Sequence, residues 1–126
     1  MMRKRAWGMD DTQWAAAEAR LGALLADAAR HRSTVTYGEA ARVAFQGRFS
    51  ARSGALMDLL GDVDARENAR RGVMVATLVV RADTGRPGEG YFAFARDELG
   101  RDVSDREAFW TAEAQAVWDS YAQEGR

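Results

Sequence analysis

Trp14, Leu21, Leu24, Leu25 and Ala28 recur at i, i+7, i+10, i+11 and i+14, the spacing of one helix face, and predict a helix from about Asp11 to Arg30. Asp10 and Asp11 suit its start, and Arg30 and Arg32 suit its end, as the helix dipole prefers. Ser33–Val35 reads as a short extended link. Thr36, Tyr37, Gly38 and Glu39 then form a capping-box pattern, with Val35 and Ala40 placed to close a hydrophobic staple across it. This second helix is expected to stop near Gln46, with Gly47 as its left-handed cap. A third helix, capped by Ser50, carries the stripe Leu56, Leu59, Leu60 and Val63 and runs to about Arg70, before Gly72.

After that point the pattern changes. Val73–Arg81 is rich in β-branched residues and apolar on both faces, which predicts a buried strand. The segment ADTGRPGEG is punctuated as a loop, and Tyr91–Phe94 returns as a partner strand. A short helix over Ala95–Leu99 ends at Gly100. A second capping box, Ser104 with Glu107, opens a last helix whose stripe is Trp110, Ala114, Val117, Trp118 and Tyr121.

Helix, capped helix, helix, hairpin and helix is the order of a winged helix-turn-helix. The expected fold is α+β: a long N-terminal helix, the helix-turn-helix, a β-hairpin wing and a C-terminal helix. Residues 1–9 read as a flexible basic arm carrying Arg3, Lys4 and Arg5, with Trp7 able to dock. Residues 10–126 read as a single domain. Its expected core contains Leu21, Leu24, Leu25, Val43, Phe45, Leu56, Leu59, Leu60, Val75, Leu78, Val80, Phe92, Trp110, Val117 and Trp118.

Charge sharpens this picture through its placement. The net charge is only −1, yet residues 30–52 hold Arg30, Arg32, Arg42, Arg48 and Arg52 against the single acid Glu39, whereas residues 97–126 hold eight acids. The basic stretch coincides with the helix-turn-helix, where phosphate contacts would lie. No apolar run approaches the roughly 20 residues that span a bilayer, and no signal-type apolar segment follows MMRKRAW. A cytoplasmic protein with no membrane partner is expected.

Candidate chemistry is sparse. Without cysteine there is no disulfide, thiolate metal site or thiol nucleophile. His31 lacks a paired nucleophile and reads as a helix-end residue. Asp58, Asp62, Asp64 and Glu67 are dense, but no calcium-loop pattern accompanies them, so they read as a solvated helix face. The glycine-rich TGRPGEG lacks the lysine and following helix of a phosphate-binding loop and reads as a wing tip. Asp83 and Glu89 flank that tip as weak cation candidates. The aromatic residues Trp14, Trp110, Trp118, Tyr91, Phe92 and Phe94 are spaced as core. No catalytic residue, metal, cofactor or small-molecule substrate is predicted.

The segments TVTYGEAA, FSARSGALMDLL and GEGYF together resemble the DNA-binding winged-helix domain of alkylguanine-DNA alkyltransferases and alkyltransferase-like proteins, over residues 33–94. The family's V-T-Y-G-[DE]-[IV]-A motif is carried by Val35–Ala41, with Ala40 in place of its Ile or Val, and Ser50 with Arg52 fits the start of its recognition helix. The acceptor motif P-C-H-R is absent, so alkyl transfer is not implied, and the family's intercalating arginine falls near Ala55. The hairpin region, Ala76–Val80 with PGEGYF, is also similar to a group of small bacterial and mobile-element proteins. The resemblance implies duplex-DNA binding through Arg42, Arg48, Ser50, Arg52, Ser53 and Arg86. The alternative is a winged helix used as a protein–protein adaptor, because the outward face of the third helix carries Asp58 and Asp62.

Overall fold

A computed structural model describes residues 7–124 of the chain. Five helices surround a short buried segment and a two-stranded parallel sheet, an α+β arrangement. No helix among the described residues is long and apolar enough to cross a membrane.

Helix α1 spans Asp11–Arg30, as the stripe predicts. Its start is a reciprocal capping box: Asp10 accepts the Gln13 N–H at 2.8 Å, and the Gln13 side chain accepts the Asp10 N–H at 2.9 Å. Strand β1 is Val35–Thr36, and α2 is Tyr37–Phe45. The Thr36 hydroxyl caps α2 by accepting the Glu39 N–H at 3.2 Å. The left-handed exit begins one residue earlier than expected, at Gln46 (φ 54°), and continues through Gly47 (φ 89°). Helix α3 is Gly54–Arg71 and stops at Gly72. Its cap is Ser53, not Ser50, because Ser50 is spent on a tight turn: its hydroxyl accepts the Arg52 N–H, and its carbonyl accepts the Ser53 N–H.

The largest departure is the predicted hairpin. Residues 73–80 are all buried, but Val75–Leu78 form a 3₁₀ turn and only Val79–Val80 (β2) extend. Strand β2 pairs in parallel with β1, Val35 opposite Val79 and Thr36 opposite Val80. Two buried carboxylates replace the missing partner strand. Glu113 accepts the Met74 N–H and Asp64 accepts the Ala76 N–H, each at 2.8 Å, while the Trp110 indole donates to the Thr77 carbonyl at 2.9 Å. Side chains satisfy the backbone here, so a continuous apolar run needs no ladder.

The expected return strand is helical. Helix α4 is Glu89–Asp97, with Tyr91, Phe92 and Ala95 on its buried face. The preceding loop closes on itself rather than on a wing: Arg81 N–H donates to the Arg86 carbonyl and Gly85 N–H to the Arg81 carbonyl, both at 2.9 Å. Helix α5 is Arg106–Glu124. Its cap is Asp105, which accepts the Ala108 N–H, whereas the Ser104 hydroxyl turns to Asp102.

The core matches the predicted residues except for Leu24, Val43 and Trp118, which are half-buried at its edge. Asp64 and Glu67 are buried and fully hydrogen-bonded; the expectation of a solvated face fails because they follow the apolar stripe inward. Of the expected arm, Trp7 and Met9 pack on the body: the Trp7 indole donates to Asp58 at 2.8 Å and its ring covers Gly54. Arg3, Lys4 and Arg5 lie outside the described residues.

Candidate nucleic-acid interface

Four of the six residues expected to contact DNA have their hydrogen-bonding groups engaged within the chain. Ser53 caps α3 and Ser50 holds the turn before it. Arg48 donates to the Gly8 carbonyl at 2.7 Å, pinning the chain ahead of α1. Arg86 grips both oxygens of Glu107, at 2.9 and 2.6 Å, and stacks 4.0 Å from the centroid of Trp110. It fastens the 81–88 loop to α5. Arg42 and Arg52 are different: both are exposed, and among the described residues they alone of the arginines have no side-chain hydrogen bond or ion pair.

Arg52 lines the mouth of a cleft that sequence reasoning missed. The outer part, about 440 Å³, lies between Ala51 and Arg52 on one side and residues 81–83 on the other. An inner chamber of about 190 Å³ is lined by Leu60, Asp64, Ala76, Tyr91 and Phe94. The two share Tyr37, Met57 and Gly90. A Cβ at Gly90 would collide with the Met57 methyl, so the glycine lets this exposed, flexible side chain cross the passage between them. The start of α2 supplies Tyr37, α3 supplies Met57 and Asp64, and the start of α4 supplies Tyr91.

The polar groups of the cleft are few and fixed. The Tyr37 hydroxyl accepts the Gly88 N–H at 2.9 Å, and Tyr91 shares a 2.6 Å hydrogen bond with the Thr77 hydroxyl. Burial raises the pKa of both phenols. Burial likewise lifts Asp64 to about 7, against the pull of the Ala76 N–H and with a further push from Glu113. At neutral pH its carboxyl is therefore divided between a form that accepts and a form that donates. Asp58, which holds the Trp7 indole, also borders the inner chamber, and the Arg81–Asp83 ion pair borders the outer part. The signal for Asp64 was present: it stands four residues after Leu60, on the apolar stripe.

The outward face of α3 carries carboxylates that are engaged within the fold. Asp58 and Asp62 accept the indole N–H groups of Trp7 and Trp14, at 2.8 and 2.9 Å, and with Glu98 they border an acidic groove of about 450 Å³ against α4. Gly61 faces Phe94 across that groove; a Cβ there would sit 3.4 Å from the ring. The two cation candidates are both ion-paired, Asp83 with Arg81 and Glu89 with Arg106. His31 ends α1, its Nδ1 at 2.8 Å from the Asp27 carbonyl, and lines no part of the cleft. No family model, curated protein or solved structure matches this chain.

Proposed function

We propose that this chain is a non-enzymatic module that docks on duplex DNA through the helix-turn-helix pair α2–α3, as a winged-helix relative of the alkyltransferase-like domains without a hairpin wing. Arg42 and Arg52 contact phosphates, and the Tyr37–Tyr91 cleft receives an unstacked base. The observation that carries this reading is Arg52, an unpartnered guanidinium at the mouth of an aromatic cleft. A free arginine at a cleft mouth draws in phosphate, and an aromatic chamber offsets part of the cost of unstacking a base. The resemblance of Val35–Ala41 to the alkyltransferase motif, six of seven positions, supports it, because that motif contributes Tyr37 to the cleft. Ala55, nearest the family's intercalating arginine, is buried, so the base is not levered out by insertion at that position.

The test is a duplex carrying 2-aminopurine opposite a mismatch. Binding raises its fluorescence, and Ala76→Leu, which fills the inner chamber, removes that rise while leaving duplex affinity within about threefold. An unchanged rise in the variant excludes the cleft as the base site. A second reading has its own observation: the acidic groove of Asp58, Asp62 and Glu98, edged by Met57, Phe94 and Leu99, suits a basic and apolar segment of a protein partner. It becomes the account if no duplex binds.

A further inference from the structure

At the far end of α3, roughly 27 Å from Arg52 along an 18-residue helix, a second concavity carries a different charge pattern. Helices α1, α3 and α5 enclose a groove of about 320 Å³. Arg30, Arg66, Arg70 and Arg71 line it against the carboxylates Glu67 and Glu124. The geometry points to a binding site for a small phosphate monoester dianion, whose place Glu124 fills in the free protein.

Glu67 is the fixed counter-charge. It is buried, and it accepts from Arg66 at 3.0 Å, Arg71 at 2.9 Å and Arg70 at 3.2 Å, with the Tyr121 hydroxyl at 3.5 Å. Burial works to raise its pKa, but Arg71 and Arg66 hold it lowered, so it stays ionised and keeps the guanidinium groups fanned around one point. Arg71 is further set by stacking 3.8 Å from the Tyr121 centroid. Arg66 also pairs with Glu18 at 2.7 Å.

Glu124 behaves differently. It comes from the last described turn of α5, is exposed, and bridges Arg30 at 3.6 Å and Arg71. A ligand oxygen anion would take the same two partners. With Glu124 displaced, four arginines face Glu18 and Glu67, an excess that a dianion neutralises. Gly22 gives Arg66 room to lie across α1: a Cβ there would lie 3.0 Å from its guanidinium. Arginines in a last helical turn also offset the helix dipole, which accounts for Arg30 and Arg70. It does not account for Arg66, more than a turn inside α3, which reaches over Gly22 to join the cluster. The groove is half open and about 320 Å³, a size that suits a compact phosphorylated molecule.

The experiment is a nuclear magnetic resonance titration of the whole chain with inorganic phosphate, then with phenyl phosphate, at constant ionic strength. Saturable shifts confined to the groove residues of α1, α3 and α5, at 22–30, 66–72 and 121–124, are expected at millimolar phosphate. Arg30→Gln with Arg70→Gln, both at exposed positions, weakens binding by about tenfold or more. Glu124→Gln, which removes the internal competitor, tightens it several-fold. Shifts that never saturate, or weaker binding in Glu124→Gln, overturn the proposal, and neither outcome depends on whether the chain binds DNA.

Discussion

The carboxyl of Asp64 shows how one residue couples packing to solution conditions. It is buried beneath the cleft, accepts the Ala76 N–H and sits with a pKa near 7, well above the ordinary aspartate value of 3.8. Because the folded state holds this proton more tightly than the unfolded chain, the sign is unusual for an acid. Asp64 contributes its stabilisation fully below pH 4 and loses it as pH rises toward 7. Carboxylates held low by arginine partners, such as Glu67, Asp83 and Glu107, work in the opposite direction, and only as pH falls through their lowered values. The windows therefore separate. Between pH 4 and 7 the protein loses up to a few kcal/mol of stability through Asp64, and Asp64→Asn flattens that slope while keeping an acceptor for Ala76. Urea midpoints at pH 5 and pH 7.5, for both proteins, measure it.

At the scale of elements, glycine and tryptophan decide how α3 is covered. The Trp7 ring lies where a Cβ on Gly54 would come within 2.7 Å, and its indole donates to Asp58. Gly54→Ala therefore pushes a rigid ring off the first turn of α3. The Trp7 indole N–H resonance should lose its hydrogen-bonded shift, with a stability change of only about 1 kcal/mol, since alanine improves the helix it disturbs. The helices were legible because their signals are local: the stripe of α1, the threonine cap of α2 and Gly72 at the end of α3 stand where the pattern puts them. Residues 73–94 were misread for a physical reason. An apolar, β-branched run signals burial, and its backbone can be satisfied by Asp64, Glu113 and Trp110 as well as by a neighbouring strand. Short aromatic runs such as Tyr91–Phe94 fit helix or strand equally. The free arginines Arg42 and Arg52 were legible within the basic stretch, but the cleft that Arg52 lines was not, because Tyr37, Asp64 and Tyr91 meet only through tertiary packing.

For the whole molecule, what matters is how charge is distributed after folding. A net charge of −1 gives no general attraction to nucleic acid, and most of the described arginines are paired with carboxylates or hydrogen-bonded to carbonyls within the fold. The proposed docking on DNA would rest on few contacts, so its salt dependence should be shallow, with a slope set by about two to four phosphates. The most direct measurement is fluorescence anisotropy of a labelled duplex, titrated at several salt concentrations with the natural chain and with the Arg42→Glu, Arg52→Glu double variant. Both positions are exposed and unpartnered, so the variant keeps its thermal midpoint. The account predicts saturable binding by the natural chain that weakens with salt, and binding reduced by at least about a hundredfold in the variant. Equal binding by the two proteins, or no binding by the natural chain at low salt, contradicts it.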